Sequence, residues 1–404
     1  MRSLLPVLCS LVLIAISVAQ GAPGPDGRQG SRTPTVKGVL DRSRTTVFET
    51  PRQSCDSSDI PDAMARAFRD NQGMIHLVAA SSELFQNIGP TLESVQHSCE
   101  VGYHSAIDGN PADFNDSVWI DSFYTFDGQN IAGLGHTEYH GWVHPGECNA
   151  PPPNFIECEY DADTFHHSSD GGYHFDSPKP PANFLAGIPY QYKVDRGPMG
   201  YSVDSNIIEL GGWYYAMVTS WAWPLNCTGQ TGAHRCLTSG AAPMRTINVF
   251  DASSWRGWSG TDFSVSFVDP YPSPVEHPQE HVYTPVQYMD VVTGINILQG
   301  SDLVVAVLWN PWTNEYGAKG FYLSTSTDMV NWTKPTLVAT LDQFLDREPK
   351  GSWSYAYFSL IDPAAPDMNF SIIGDHPYLY YVRFANNGSS RVLFRQGIEL
   401  TLNQ

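Results

Sequence analysis

Beyond residues 4–18, no stretch of the 404-residue sequence is apolar for long enough to cross a bilayer, so no membrane partner is expected. Positive charge is scarce: 22 Lys and Arg stand against 42 Asp and Glu, for a net charge of −20. Nucleic acid requires a basic surface, so it is excluded as a partner. There is no long amphipathic helix of 3.6-residue period. Only 62–69 and 92–97 could pass for helix, and both are too short to organise a domain. A Gly-x-Ser-x-Gly elbow and a phosphate-binding glycine loop are both absent, which removes the serine-hydrolase and nucleotide readings. No cysteine pair has Cys-x-x-Cys spacing, which argues against a zinc site. His277-Pro278-Gln279-Glu280-His281 matches a zinc-protease pattern by letter. That motif requires a helix, and Pro278 in a Pro-laden, β-rich setting opposes one. No metal or other cofactor is expected.

At the N-terminus, Met1-Arg2, the apolar run and Ser17-Val18-Ala19 read as a secretory signal peptide over 1–19. Residues 20–50 are rich in Gly, Pro, Arg and Ser and are expected to be a flexible leader. A single domain is then expected over 51–404, secreted and monomeric. Of seven cysteines, Cys9 lies in the signal peptide. The other six suit an oxidising compartment and three disulfides. Cys148 with Cys158 and Cys227 with Cys236 would close short loops, leaving Cys55 for Cys99. N-x-S/T sequons at Asn115, Asn226, Asn331, Asn369 and Asn387 mark candidate glycosylated loops, which are expected at the surface.

The body of the chain is a series of short β-rich runs broken by Gly, Pro, Asn and Asp. Ser169-Asp170-Gly171-Gly172-Tyr173-His174-Phe175, Asp251-Ala252-Ser253-Ser254-Trp255 and Ser326-Thr327-Asp328-Met329-Val330-Asn331-Trp332 form a weak repeat. Each puts an Asp before a turn, where its side chain can bond the turn backbone, and an aromatic after it. Copies lie about 80 residues apart, too far for a WD or kelch blade but right for a four-stranded blade with generous loops. Asn87-Ile88-Gly89-Pro90 falls about one period earlier. Division of the chain gives an all-β, five-bladed β-propeller with four-stranded antiparallel blades. Inner strands are expected at 60–69, 118–126, 203–210, 286–297 and 354–361. Second strands are expected at 75–80, 131–134, 213–219, 303–309 and 378–384. The terminal run 391–400 alternates like an outer strand and could pair with 45–48 to close the ring.

The densest chemistry lies between Trp119 and His144. A strand rich in β-formers is followed by the Asp127-Gly128 turn and by a second apolar strand. That strand runs into His136, Glu138 and His140. A hairpin returns the chain, so Asp121 should meet Glu138 and His140 at one edge of the sheet. Carboxylates and imidazoles at one edge suit acid–base chemistry.

The blade period, the Asp-turn-aromatic hairpins and the Asp of Ile60-Pro61-Asp62 resemble the five-bladed propeller glycosidases of the arabinanase, β-xylosidase and invertase-like group. The resemblance implies three carboxyl groups pointing into a central funnel. Asp62 matches the first in position; Asp204 or Asp121 could serve as the second, and Glu138 as the glutamate.

The function expected is a secreted glycoside hydrolase acting on a polysaccharide or oligosaccharide. Glu138 would be the acid, since partial burial raises a carboxyl pKa. Asp62 would be base or nucleophile, and Asp121 would tune pKa or hold a hydroxyl. His104, His136, His140, Asp204, Asn206 and His281 are expected to contact substrate. Trp and Tyr near strand ends could stack on sugar rings. A lectin-like propeller without catalysis is the alternative. A polysaccharide lyase using a His/Tyr pair, with His104 or His140, is a third reading.

Overall fold

The computed structural model describes residues 33–79, 81–150, 157–203, 205–220, 240–310, 317–345, 353–385 and 390–403. They form a nearly all-β unit whose strands group into five antiparallel blades. Blade 1 is the meander Arg66–Arg69, Ile75–Val78, Gln86–Gly89 and Gln96–Ser98. Blade 2 is Val118–Thr125, Ile131–His140, Glu159–Ser168 and Phe184–Ala186. Blade 3 runs through Met199–Val203, Trp213–Ser220, Gly240–Thr246, Arg256–Gly257 and Val265–Ser266. Its Trp213–Ser220 strand also takes the short Ile208–Leu210 strand. Blade 4 is Val292–Leu298, Val304–Asn310, Gly320–Ser326 and Thr336–Thr340. Blade 5 is Trp353–Ile361, Tyr378–Ala385 and Arg391–Asn403, completed by the N-terminal strand Thr35–Thr50.

The first strand of blade 1 contacts those of blades 2 and 5, and the first strand of blade 4 contacts that of blade 5. Blades 2 and 3 are linked by a two-residue parallel bridge, Met199 to Tyr160 and Gly200 to Asp161. Gly200 has φ +136°, and a Cβ there would collide with the Asp161 backbone, so glycine lets the two blades meet. Because blades pack on both faces, a central strand away from the site can be apolar throughout rather than alternating. Val304-Val305-Ala306-Val307-Leu308 is wholly buried.

All five expected inner strands overlap those found, that of blade 3 only at Val203, and all five expected second strands do. In blade 3 the inner strand ends at Val203; Ile208–Leu210 turns back on Trp213–Ser220 instead. In blade 1 the strand begins only at Arg66, so Asp62 precedes it. The expected leader is also shorter than 20–50. Thr35–Thr50 is a strand in register with Arg391–Asn403 from Thr35–Asn403 to Thr50–Arg391, a longer closure than 45–48 alone. The repeated Asp turns join third to fourth strands. Asp328 accepts the Val330 and Asn331 amides, Asp251 that of Ser253 and Asp170 that of His174. Pro278–His281 is a 3-10 turn, not an α-helix.

Cys55–Cys99 and Cys148–Cys158 are disulfides; Cys227 and Cys236 lie outside the described residues. Asn369 corrects the sequon reading. It is buried, and its side chain both accepts from the Thr125 amide and donates to the Thr125 carbonyl, at 2.8 and 3.0 Å. Asn331 is exposed and Asn115 half-buried, while Asn226 and Asn387 are outside the described residues.

Arg66 marks the axis of the ring. Its buried guanidinium donates to the carbonyls of Asp121 in blade 2 and Thr293 in blade 4, each at 3.0 Å. One side chain from blade 1 thereby ties three inner strands together.

Candidate active site

A cavity of about 300 Å³ lies among the inner strands. Its polar lining includes Asp62, Asp121, His136, Glu138, Glu159, Asp161 and Tyr357, beside Trp119 and Trp309. Strand register explains most of this set. In blade 2, His136 lies opposite Asp163, Glu138 opposite Asp161 and His140 opposite Glu159. Side chains two apart on a strand share a face. His136, Glu138 and His140 therefore stand on the same face as Asp163, Asp161 and Glu159, a ladder of six ionisable groups. Asp121 joins from the first strand at the register shift between Ile120 and Ser122, an irregularity that re-aims a side chain.

Glu138 is clasped by two imidazoles, with His136 Nε2 at 3.3 Å and His140 Nε2 at 2.9 Å. Burial opposes its charge, but those two bonds win and hold its pKa down at about 2. His136 reaches Asp121 with its other nitrogen, Nδ1 to Oδ2 at 3.4 Å. Burial opposes the imidazolium, yet Asp121 and Glu138 together raise its pKa well above the ordinary value. Trp119 stacks on His136 with rings 6° from parallel, and Trp142 stacks on His140 at 4.3 Å. Glu159 shows the opposite behaviour to Glu138. Burial, then the Glu138 charge, push it up to about 8. Asp161 is raised well above the carboxylate range by burial, Glu159 and Glu138.

Asp62 arrives from the segment before blade 1, where its amide bonds the Ala79 carbonyl at 3.0 Å. Its carboxylate pairs with Arg391 and accepts from the Tyr357 hydroxyl at 3.1 Å. Burial raises its pKa, opposed by Arg391 and Tyr357. Tyr357 sits at φ +59°, at a break in the blade 5 register between Ala356 and Ser359. A bulky residue in that region is strained by about 1–3 kcal/mol, and here the strain accompanies delivery of its hydroxyl to Asp62.

Asp62, Asp121, His136 and Glu138 thus share one cavity, with His140 bonded to Glu138 behind it. The expected pKa order is corrected: Glu138 is the ionised member, because imidazoles outweigh burial. His104 is not at the cavity; it is exposed and bonded to Glu83 at 2.6 Å. His281 is not there either, since its Nδ1 bonds the Ser266 carbonyl on the outer part of blade 3. Asn206 accepts from the Ile295 amide at 2.9 Å and lines a separate small void beside Arg66 and Asn369. Asp204 lies outside the described residues. Glu159, Asp161, Tyr357 and Arg391 were missed by the sequence reading, whereas Trp309 is one of the strand-end aromatics expected to face a sugar ring. Glu159-Tyr160-Asp161-Ala162-Asp163 carried a readable signal, acids at every second position mirroring His136-x-Glu138-x-His140. Tyr357 and Arg391 carried none.

Glu138, His140 and Glu159 bring one donor atom each within 4.8 Å of one another. Two of those donors already bond each other, so the group is complete as a hydrogen-bonded pair beside a neutral acid. Cys55 with Asp59 and His97, and Cys148 and Cys158 with Asp195, form similar groupings, but their cysteines are in disulfides.

No family model matches the sequence, and no curated protein does. Among solved structures, the chain is similar to an α-L-arabinanase from Cellvibrio cellulosa, at 8% identity over 86% of this chain and 91% of that one, with a TM-score of 0.44. It is similar to an exo-1,5-α-L-arabinanase from a bovine ruminal metagenomic library, at 9% identity over 85% and 95%, TM-score 0.43. A sialidase from Trypanosoma rangeli matches at 9% identity over 90% and 60%, TM-score 0.39. Likenesses this distant carry no argument about chemistry. The five-bladed all-β architecture rests on this chain's own strand pairing.

Proposed function

We propose that the protein is a glycoside hydrolase whose cavity accepts neutral or cationic sugars. One observation carries the reading. Two carboxyl groups, Glu138 and Glu159, stand within 4.8 Å in a walled cavity with their pKa values driven to about 2 and about 8. Environments that push neighbouring titratable groups apart are how acid and base roles are divided at one pH. Glu159 is the proton donor to the glycosidic oxygen. Asp62 is the second carboxylate, which activates water or attacks the anomeric carbon. Glu138, fixed by His136 and His140, supplies the charge that keeps Glu159 protonated. Trp119 and Trp309 offer flat faces for sugar rings. The lyase reading is disfavoured by the same lining, because a uronate carboxylate would enter among five acids.

The test is product chemistry over a panel of neutral and charged polysaccharides. Release of new reducing ends, lost in Glu159→Gln and in Asp62→Asn with the fold intact by circular dichroism, is the expected result. An unsaturated product would establish a lyase. Saturable binding with no cleavage of any polymer would establish a lectin.

A further inference from the structure

The deeper end of the acid ladder has a chemistry that the proton-transfer roles leave unused. Asp121 and Asp161 are 2% and 3% exposed, and both line the cavity. Asp121 is ion-paired with the His136 imidazole at 3.4 Å, but neither of its oxygens accepts a well-aligned hydrogen bond. Oδ1 of Asp161 accepts none either. A buried carboxylate oxygen without a donor costs free energy unless a ligand supplies one. Nearby cations are engaged: Arg391 pairs with Asp62, and Arg66 bonds backbone carbonyls. Trp309 lines the same cavity, and its buried indole N–H has no acceptor.

From these incompletely satisfied groups we infer that the site is built for an amino sugar, a 2-amino-2-deoxy hexose carrying a free ammonium, which Asp121 and Asp161 receive. An ammonium has three donors and no acceptor. It satisfies oxygens of both aspartates at once and lets Asp161 ionise, which burial and its acidic neighbours otherwise oppose. A hydroxyl or ring oxygen of the same sugar takes the Trp309 N–H. An N-acetyl group would remove the charge and two of the three donors. This inference rests on the hydrolase reading for its consequence but not for its binding step.

The experiment compares binding and cleavage of a glucosamine oligomer, its fully N-acetylated counterpart and a neutral oligomer, using calorimetry and reducing-end release. At least about tenfold tighter binding of the free amine is expected, falling toward parity in Asp121→Asn and Asp161→Asn. Equal or tighter binding of the N-acetylated or neutral oligomer by the wild type overturns the proposal without reference to any variant's folding. So does loss of activity with a chelator and recovery with a divalent cation, since the carboxylates would then be metal ligands. Preferential binding of the amine with no cleavage supports the inference while sinking the hydrolase reading. Cleavage of the neutral oligomer alone does the reverse.

Discussion

Glu138 and Glu159 bring carboxyl oxygens within 4.8 Å of each other, yet their pKa values are driven apart, to about 2 and about 8, so that between those values one is ionised and the other neutral. The partners of each decide this. Glu138 is bonded to both His136 and His140, which outweigh its burial. Glu159 is half-buried and feels the Glu138 charge. Proximity alone would raise one carboxyl; the two imidazoles choose which one.

The first expected outcome concerns pH and rate. With Glu159 as the donor, activity should fall on the alkaline side near pH 8. Removing the neighbouring negative charge in Glu138→Gln makes Glu159 easier to ionise, so the alkaline limb should move to lower pH. A pH profile of kcat/KM for both proteins checks it. An unmoved limb would mean that Glu159 is not the group that titrates.

The second concerns stability. The folded-state pKa of Glu159 lies above its ordinary 4.5, so between 4.5 and about 8 the folded state binds a proton that the unfolded chain has lost. Stability must then fall as pH rises through that window. His136, raised above 6.5, acts in the same direction: its contribution is full below 6.5 and is lost as pH rises through the folded value. Glu138, depressed from 4.5 to about 2, contributes above 4.5 and loses that contribution as pH falls. The melting temperature should therefore be highest in mildly acidic solution, at about pH 5, and decline toward pH 8. Glu159→Gln should flatten that decline, which thermal melts across pH would reveal. A wild-type profile still rising from pH 5 to 8 would contradict the assignment.

Much of the architecture was legible because propeller strands are short, separated by Gly and Asp turns, and apolar on both faces. Period and turn chemistry placed the second strands, although that of blade 2 runs on past the expected end at 134 to His140. The failures have local causes. In 203–210 the β-formers are split by Asp204-Ser205-Asn206, and the second half pairs backward onto Trp213–Ser220. Thr35–Thr50 looks like a polar leader because only Val36, Phe48 and Thr50 are buried; it gains its structure from the Arg391–Asn403 edge. At the site, Asp62 and the His136–His140 group were visible, but Glu159 and Asp161 were passed over although they alternate in register with that group. Arg391 and Tyr357 reach Asp62 from about 300 residues away, a tertiary relationship with no sequence pattern.

Closure of the ring gives a third expected outcome. Thr35–Thr50 covers the edge of Arg391–Asn403, and an uncovered long strand is a template for intermolecular pairing. A chain starting at residue 51 should be soluble only in small part and should elute as aggregate. One starting at residue 33 should elute as the full chain does. Size-exclusion chromatography separates the two, and a well-behaved chain from residue 51 would show that the closing strand is dispensable.

The last concerns Tyr357. Its hydroxyl donates to Asp62 Oδ1 at 3.1 Å, and that bond helps to hold down a pKa that burial raises. Tyr357→Phe keeps the ring and its packing but removes the donor. A hydrogen bond to a charged group contributes about 1.5–3 kcal/mol, so the loss should reach the rate roughly tenfold or more. The Asp62 pKa should rise, and the acidic limb of the rate profile should move upward while the alkaline limb, set by Glu159, stays in place. A purely structural Tyr357 would lower the melting temperature and leave both limbs where they were. Arg391→Lys is the companion measurement. It retains a positive charge beside Asp62 but loses the planar guanidinium, so its acidic limb should shift less than that of Arg391→Met. If neither substitution at residue 391 nor that at Tyr357 moves the acidic limb, Asp62 is not the second carboxylate of the reaction.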